Sequence, residues 1–196
     1  MRADFPVLLD ANVLAEAAIS DLFLRLAEEP RLLLPRWTPE IWAETRRTWV
    51  ERLGWPEEIA DRRIAAAMET FPEAMVLGYE PFLALCENHP KDRHVLAAAI
   101  CSKIETIVTF NAKDFGAPAL QPHGILAAHP ADYLKVLYDH DPAVVMSVLD
   151  AMAGKARRTV PELLARLAWY AAPFSRHVAQ AESLVLLEIS PSQWRT

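Results

Sequence analysis

Glycine is scarce in this 196-residue chain. There are five, Gly54, Gly78, Gly116, Gly124 and Gly154, and no two stand closer than eight residues. A loop that cradles phosphates through its backbone N–H groups needs clustered glycines, so neither G-x-G-x-x-G nor G-x-x-x-x-G-K-[ST] can be drawn and no nucleotide cofactor is expected. The G-x-S-x-G elbow is missing for the same reason. Cysteine is rarer still. Cys86 and Cys101, fifteen apart, fit neither C-x-x-C nor a zinc spacing, and a reduced, cytoplasmic protein is the expectation. The six histidines form no H-x-x-x-H or H-x-H pair. No apolar run approaches the roughly eighteen residues that span a bilayer, and Asp4 and Asp10 interrupt any secretory leader. A membrane partner is not expected. Excess positive charge is absent as well: 20 Lys+Arg stand against 26 Asp+Glu, a net charge of −6. Polyanion binding through bulk charge is thereby excluded, but not binding at a locally basic groove. Basic residues do cluster at Arg46, Arg47 and Arg52, at Arg62 and Arg63, and at Lys155, Arg157 and Arg158; each cluster also suits a solvated helix face.

Hydrophobic residues are plentiful, at 53%, with 23% charged, a balance that builds a core and opposes disorder. Phe5–Asp10 is a continuous apolar run closed by an acid, the pattern of a strand buried on both faces. Helical composition follows over 11–18 and 21–29, with Asp21 as a candidate N-cap. Leu32–Leu34 reads as a strand stopped by Pro35. Thr38-Pro39-Glu40 has the N-cap, first-turn proline and first-turn acid of a helix start, and the spacing predicts a helix to Leu53. A second start at Trp55-Pro56 predicts one to Thr70. Ala74–Leu77 is a candidate strand and 81–87 a short helix. A helix over 93–103, a strand at Thr106–Thr109, a candidate strand at 125–127 and a helix after Pro130 complete an alternating pattern. Alternation with short connections implies an α/β fold, a parallel sheet flanked by helices. From Asp141 onward only helices are expected, at 142–154, 160–170 and 174–187. The chain divides into an α/β unit, 1–139, and a helical C-terminal extension, 140–196.

Ligands of open α/β sheets bind outside the carboxyl ends of the strands, and four acids fall where they could converge there. Asp10 ends the first strand. Glu44 lies in the helix begun by Thr38, Asp92 at the start of the helix leading to Thr106–Thr109, and Asp114 five residues beyond that strand. Each has an ordinary structural alternative: Asp92 as a helix cap, Asp114 in a turn, Glu44 paired with Arg47 or Thr48. Asp10 is hardest to explain so, because an unpaired charge beside a buried layer costs several kcal/mol, ~3–5 in typical cases. Glu40, four residues before Glu44, adds like-charge repulsion that a cation would reverse. Together the acids suggest Mg²⁺ or Mn²⁺ held by oxygen. Two such ions ~4 Å apart can hold the attacking and leaving oxygens of a phosphodiester. Asn12 and Asn111 are neutral oxygen donors beside two of the acids. His94, the histidine next to a candidate acid, reads as packed or surface.

Val7-Leu-Leu-Asp-Ala-Asn-Val-Leu14, an acid in the helix 38–47, Lys91-Asp-Arg-His-Val-Leu-Ala-Ala-Ala99 and Ile107-Val-Thr-Phe-Asn-Ala-Lys-Asp-Phe115 resemble, in that order, the motifs of the PIN domain, and among its members the VapC-like toxins of bacterial toxin–antitoxin pairs. The resemblance covers about 5–135. It implies a metal-dependent endoribonuclease, cytoplasmic and homodimeric, paired with an antitoxin whose tail enters the acidic site. Carried onto this chain, the catalytic acids are Asp10, Glu44, Asp92 and Asp114, with Asp10, Asp92 and Asp114 as metal ligands. Asn12, Thr109, Asn111 and Glu40 are supporting polar groups, and Arg46, Arg47, Arg93 and Lys113 are candidate RNA contacts. The family often has an acid where this chain has Asn111, which shifts weight onto Asp114. Two rivals remain. A strand ending Asp-x-Asn also resembles haloacid-dehalogenase-like phosphohydrolases, with Asp10 as nucleophile, although their second acid is Asn12 here. A degenerate PIN module that only binds antitoxin or RNA is the other.

Overall fold

The computed structural model describes residues 5–28 and 30–187. Asp4, the expected helix end at Glu29 and the last part of the extension, 188–196, lie outside the described residues. Four short parallel strands, β1 (Pro6–Leu9), β2 (Leu34–Arg36), β3 (Thr106–Val108) and β4 (Leu126–Ala128), form one sheet in the order β2-β1-β3-β4. Register is fixed by Val7 opposite Pro35, Leu9 opposite Val108 and Ile107 opposite Ala127. Val7, Leu8 and Leu9 are fully buried, as a strand covered by helices on both faces requires. After β1 the chain goes to one side and later returns to the other. The β1–β3 boundary is therefore the switch point at which open α/β sheets bind ligands.

The helices are α1 (Ala11–Ala15), α2 (Ala17–Leu26), α3 (Pro39–Arg47), α4 (Glu57–Thr70), α5 (Arg93–Cys101), α6 (Ala117–Leu120), α7 (Pro130–His140), α8 (Pro142–Lys155) and α9 (Val160–Ala181). The parallel sheet with flanking helices and helical C-terminal segment agrees with the expectation from sequence. Several details differ. Pro35 does not stop β2 but sits inside it, which an edge strand tolerates because the missing N–H faces away from the sheet. Asp21 caps nothing; it lies within α2 and pairs with Arg25 at 3.0 Å. Ala74–Leu77 contributes only an isolated bridge, Trp37 to Met75. The helix expected over 38–53 is α-helical to Arg47 and continues as a π-turn, Thr48–Arg52. That wider turn carries Trp49, whose Nε1 donates to Ala15 O at 2.9 Å and whose ring stacks on Trp55 at 5.0 Å. The segment 81–87 is a 3-10 turn, Glu80–Leu85. The helices expected at 160–170 and 174–187 form α9, bent at Ala171 ahead of Pro173, and it ends at Ala181.

Helices α8 and α9 pack on α2 and α7. Val145, Leu149, Leu164, Leu167, Phe174 and Val178 belong to the same buried cluster as the strands. No helix among the described residues is long and apolar enough to cross a membrane.

Candidate active site

Asp10 lies immediately beyond β1 and is 4% exposed. Its backbone N–H continues the ladder to Val108 O at 3.1 Å. Its Oδ1 accepts from Ala11 N at 2.7 Å, capping α1, while Oδ2 accepts from Asn12 Nδ2 at 2.7 Å and Thr109 Oγ1 at 2.6 Å. A carboxylate offers about four lone-pair positions, so three bonds leave one open on Oδ1. Asn12 is itself held: Nδ2 reaches Thr109 Oγ1 at 2.9 Å, and Oδ1 accepts from Phe110 N at 3.0 Å. Asn111 N donates to Thr109 Oγ1 at 3.0 Å. Residues about a hundred positions apart thus lock the ends of β1 and β3 around one carboxylate.

Burial pushes the Asp10 pKa up from 3.8 to about 6. The Thr109 and Ala11 hydrogen bonds oppose this, and the charges of Asp92 and Glu44 reinforce it. Asp92 is raised as well, first by burial and then by the charge of Asp114, with Glu44 adding to the rise and His89 and His94 opposing it. Asp92 occupies the N-cap of α5 yet makes no side-chain cap bond, so the capping alternative does not account for its carboxylate. Asp10, Glu44, Asp92 and Asp114 therefore share one electrostatic neighbourhood. Histidines, not lysines or arginines, supply the offsetting charge on Asp92.

His94 is packed, as one of the two readings from sequence has it, but its nearness to Glu44 is what the sequence does not show. It is half-buried, with Nε2 3.5 Å from Glu44 Oε1, an ion-pair distance rather than a hydrogen bond. Burial pulls its pKa down, but Glu44, Asp10 and Glu40 outweigh burial and hold it above 6.5. The available signal was its place two residues after Asp92 on α5; periodicity alone could not say that this turn faces Glu44. Thr48 Oγ1 donates to the backbone carbonyl of Glu44 at 3.0 Å and leaves the carboxylate to His94. Glu40 is exposed and borders a groove of 370 Å³ lined by Pro39, Glu40, Ala43, Leu77, Tyr79 and Glu80.

The candidate RNA contacts scatter. Arg46 is committed to Asp61 at 2.6 Å and Glu57 at 2.7 Å on α4. Arg93 donates to Asn88 O at 3.3 Å. Arg47 and Lys113 are exposed, as is the supporting polar residue Asn111. A hollow of 410 Å³ lies instead at the amino ends of β1 and β3, between Phe5, Thr106 and Tyr133. That is the wrong end of the sheet for these acids.

The donor set suits a hard, oxygen-preferring cation in chemistry: carboxylates, one open position on Asp10 and mutual repulsion awaiting a positive charge. Among the described residues, however, no three His, Cys, Asp or Glu side chains are already drawn into one coordination sphere. A cation would have to draw them in.

A protein of Mycobacterium tuberculosis (strain ATCC 25618 / H37Rv) described as "Putative ribonuclease VapC50" is 42% identical to this chain over 110 residues. The match takes in 54% of this chain and 63% of that protein. The chain thus spans less than two thirds of that relative's length. No family model matches, and no solved structure matches.

Proposed function

We propose that this chain is a Mg²⁺- or Mn²⁺-dependent endoribonuclease acting as the toxin of a toxin–antitoxin pair, with a separate antitoxin chain as partner. The observation that supports the reading is Asp10, clasped at the carboxyl ends of β1 and β3 by Asn12 and Thr109, with the charges of Asp92 and Glu44 acting on it and that of Asp114 acting on Asp92. The likeness to a protein described as a ribonuclease supports the same class.

In this reading Asp10, Asp92 and Asp114 hold the cation. When bound, the ion supplies acidified water and positive charge opposite the developing oxyanion. Asn12 and Thr109 fix the rotamer of Asp10 through Oδ2 and leave one lone pair of Oδ1 unused. Glu44, with His94 Nε2 3.5 Å from its carboxylate, would serve as the fourth catalytic acid. The phosphohydrolase alternative is less well served. The second acid that such enzymes use as general acid is Asn12 here, and its amide is engaged in holding Asp10.

The test is cleavage of single-stranded RNA by the purified chain with Mg²⁺ or Mn²⁺, repeated with a chelator and with Asp10→Asn and Asp92→Asn. Cleavage is expected to fall roughly 100-fold or more in each variant, and calorimetric Mn²⁺ binding should weaken in parallel. Normal rates in both variants would remove the mechanism. A phosphoenzyme trapped on Asp10 would replace it with the phosphohydrolase, and antitoxin or RNA binding without cleavage by the unaltered chain would leave a degenerate module.

A further inference from the structure

Beside the acids, the carboxyl ends of β3 and β4 carry half-buried rings at the margin of the core. Phe110 follows Thr109 directly, and His129 follows β4 as the N-cap of α7. Their rings meet edge to face at 5.2 Å and 77°. The C-terminal extension completes the group. Tyr170 lies 6.4 Å from Phe110, at the point where α9 leaves helical geometry at Ala171 (φ −136°, ψ 48°). One turn earlier the Arg166 guanidinium sits 4.4 Å over the Trp169 ring. Burial raises the Tyr170 pKa above its usual value, with Glu16, between α1 and α2, adding to the rise and Arg166 opposing it.

Phe110, His129, Arg166, Trp169 and Tyr170 are all half-buried, whereas the structural tryptophans Trp37 and Trp49 are fully covered. Partly exposed rings interleaved with a guanidinium are a surface on which unstacked bases can stack. Position supports the assignment. Phe110 donates its backbone N–H to Asn12, and Asn12 holds Asp10, so platform and acid share a fixed strut. Beyond the bend after Tyr170, His177 and Glu182 meet Asp139 and Tyr138 of α7, while Tyr170 itself meets Phe110 at the sheet's carboxyl end.

We propose that Phe110, Trp169 and Tyr170, with Arg166, form a stacking platform on which single-stranded RNA is held next to the acids, so that the C-terminal helices are part of the substrate site. The platform rests on the nuclease reading only for the cleavage step, since holding a strand and cutting it are separable.

The experiment measures fluorescence anisotropy of a labelled single-stranded RNA 12-mer, and of its duplex, with the full-length chain carrying Asp10→Asn so that nothing is cut. Single strand should bind tighter than duplex. Tyr170→Leu and Trp169→Leu should each weaken single-strand binding about 5- to 100-fold, the range for loss of one base–ring stack, while Tyr170→Phe stays within about twofold because the ring is kept. Arg166→Gln should lower the salt slope by about one if it meets a phosphate. In chains retaining Asp10 the Leu variants should raise KM and leave kcat nearly unchanged. Equal binding by wild type and both Leu variants overturns the platform and leaves this face to a protein partner. Ring-dependent binding by a chain that cuts no RNA keeps the platform and removes the nuclease; cleavage indifferent to both rings does the reverse.

Discussion

At the scale of single residues, Asp10 sets the terms. A carboxyl that protonates near 6 in the folded chain and near 3.8 in the unfolded one gives the folded state an extra proton between those values. Stability therefore falls as pH rises through that window, and above pH 6 the full cost of the buried charge is present. Asp10→Asn removes it. Without metal, urea unfolding should show the variant about 1–3 kcal/mol more stable than wild type at pH 7 and nearly equal at pH 4. A wild type that gains stability from pH 4 to 7, with the Asp10→Asn variant lacking that gain, would contradict the sign. Thr109→Val tests the support. Its hydroxyl both donates to Asp10 and accepts from Asn111 N, so the change leaves buried partners unmatched, and a loss of about 1–3 kcal/mol is expected. Asp10 was legible in the sequence because an acid at the end of Val-Leu-Leu has no ordinary explanation. His94 was not: its meaning depends on which way one turn of α5 faces, and a single histidine in an apolar run carries no such information.

At the scale of elements, local chemistry decided what could be read. Thr38-Pro39-Glu40 announced α3, and Thr38 Oγ1 does accept from Ile41 N at 3.1 Å. Thr38 is fully buried, so Thr38→Ala should cost about 1–2 kcal/mol by thermal or urea unfolding. It should also loosen the first turn of the helix that presents Glu44, lowering cleavage more than it lowers overall stability at assay temperature. The π-turn after Arg47 was illegible, since it is imposed by where Trp49 must reach, across 34 positions to Ala15 O. Pro35 misled for a related reason. Proline breaks a central strand but not an edge one, and which strand is the edge is a fact of topology. The basic clusters misled through the same blindness to tertiary partners, Arg46 being spent on α4.

For the whole molecule, residues on either side of position 139 share one core. Phe174 and Val178 of α9 share a buried cluster with Val7, Leu8 and Leu9 of β1. Unfolding should thus be a single cooperative transition, and Phe174→Ala, which empties a fully buried site, should lower it as a whole by about 3–5 kcal/mol. Two resolved transitions in calorimetry, with only the weaker one moved by Phe174→Ala, would show the extension melting on its own. The neighbours of β1 carry a consequence for how the chain is born. Its partner β3 is translated about a hundred residues later, and the strut from Asn12 to Phe110 cannot close until that segment has left the ribosome. A nascent or prematurely terminated polypeptide would hold the first acid without its clasp, and the Asp10 carboxylate takes up its buried, bridged state only once β3 has emerged.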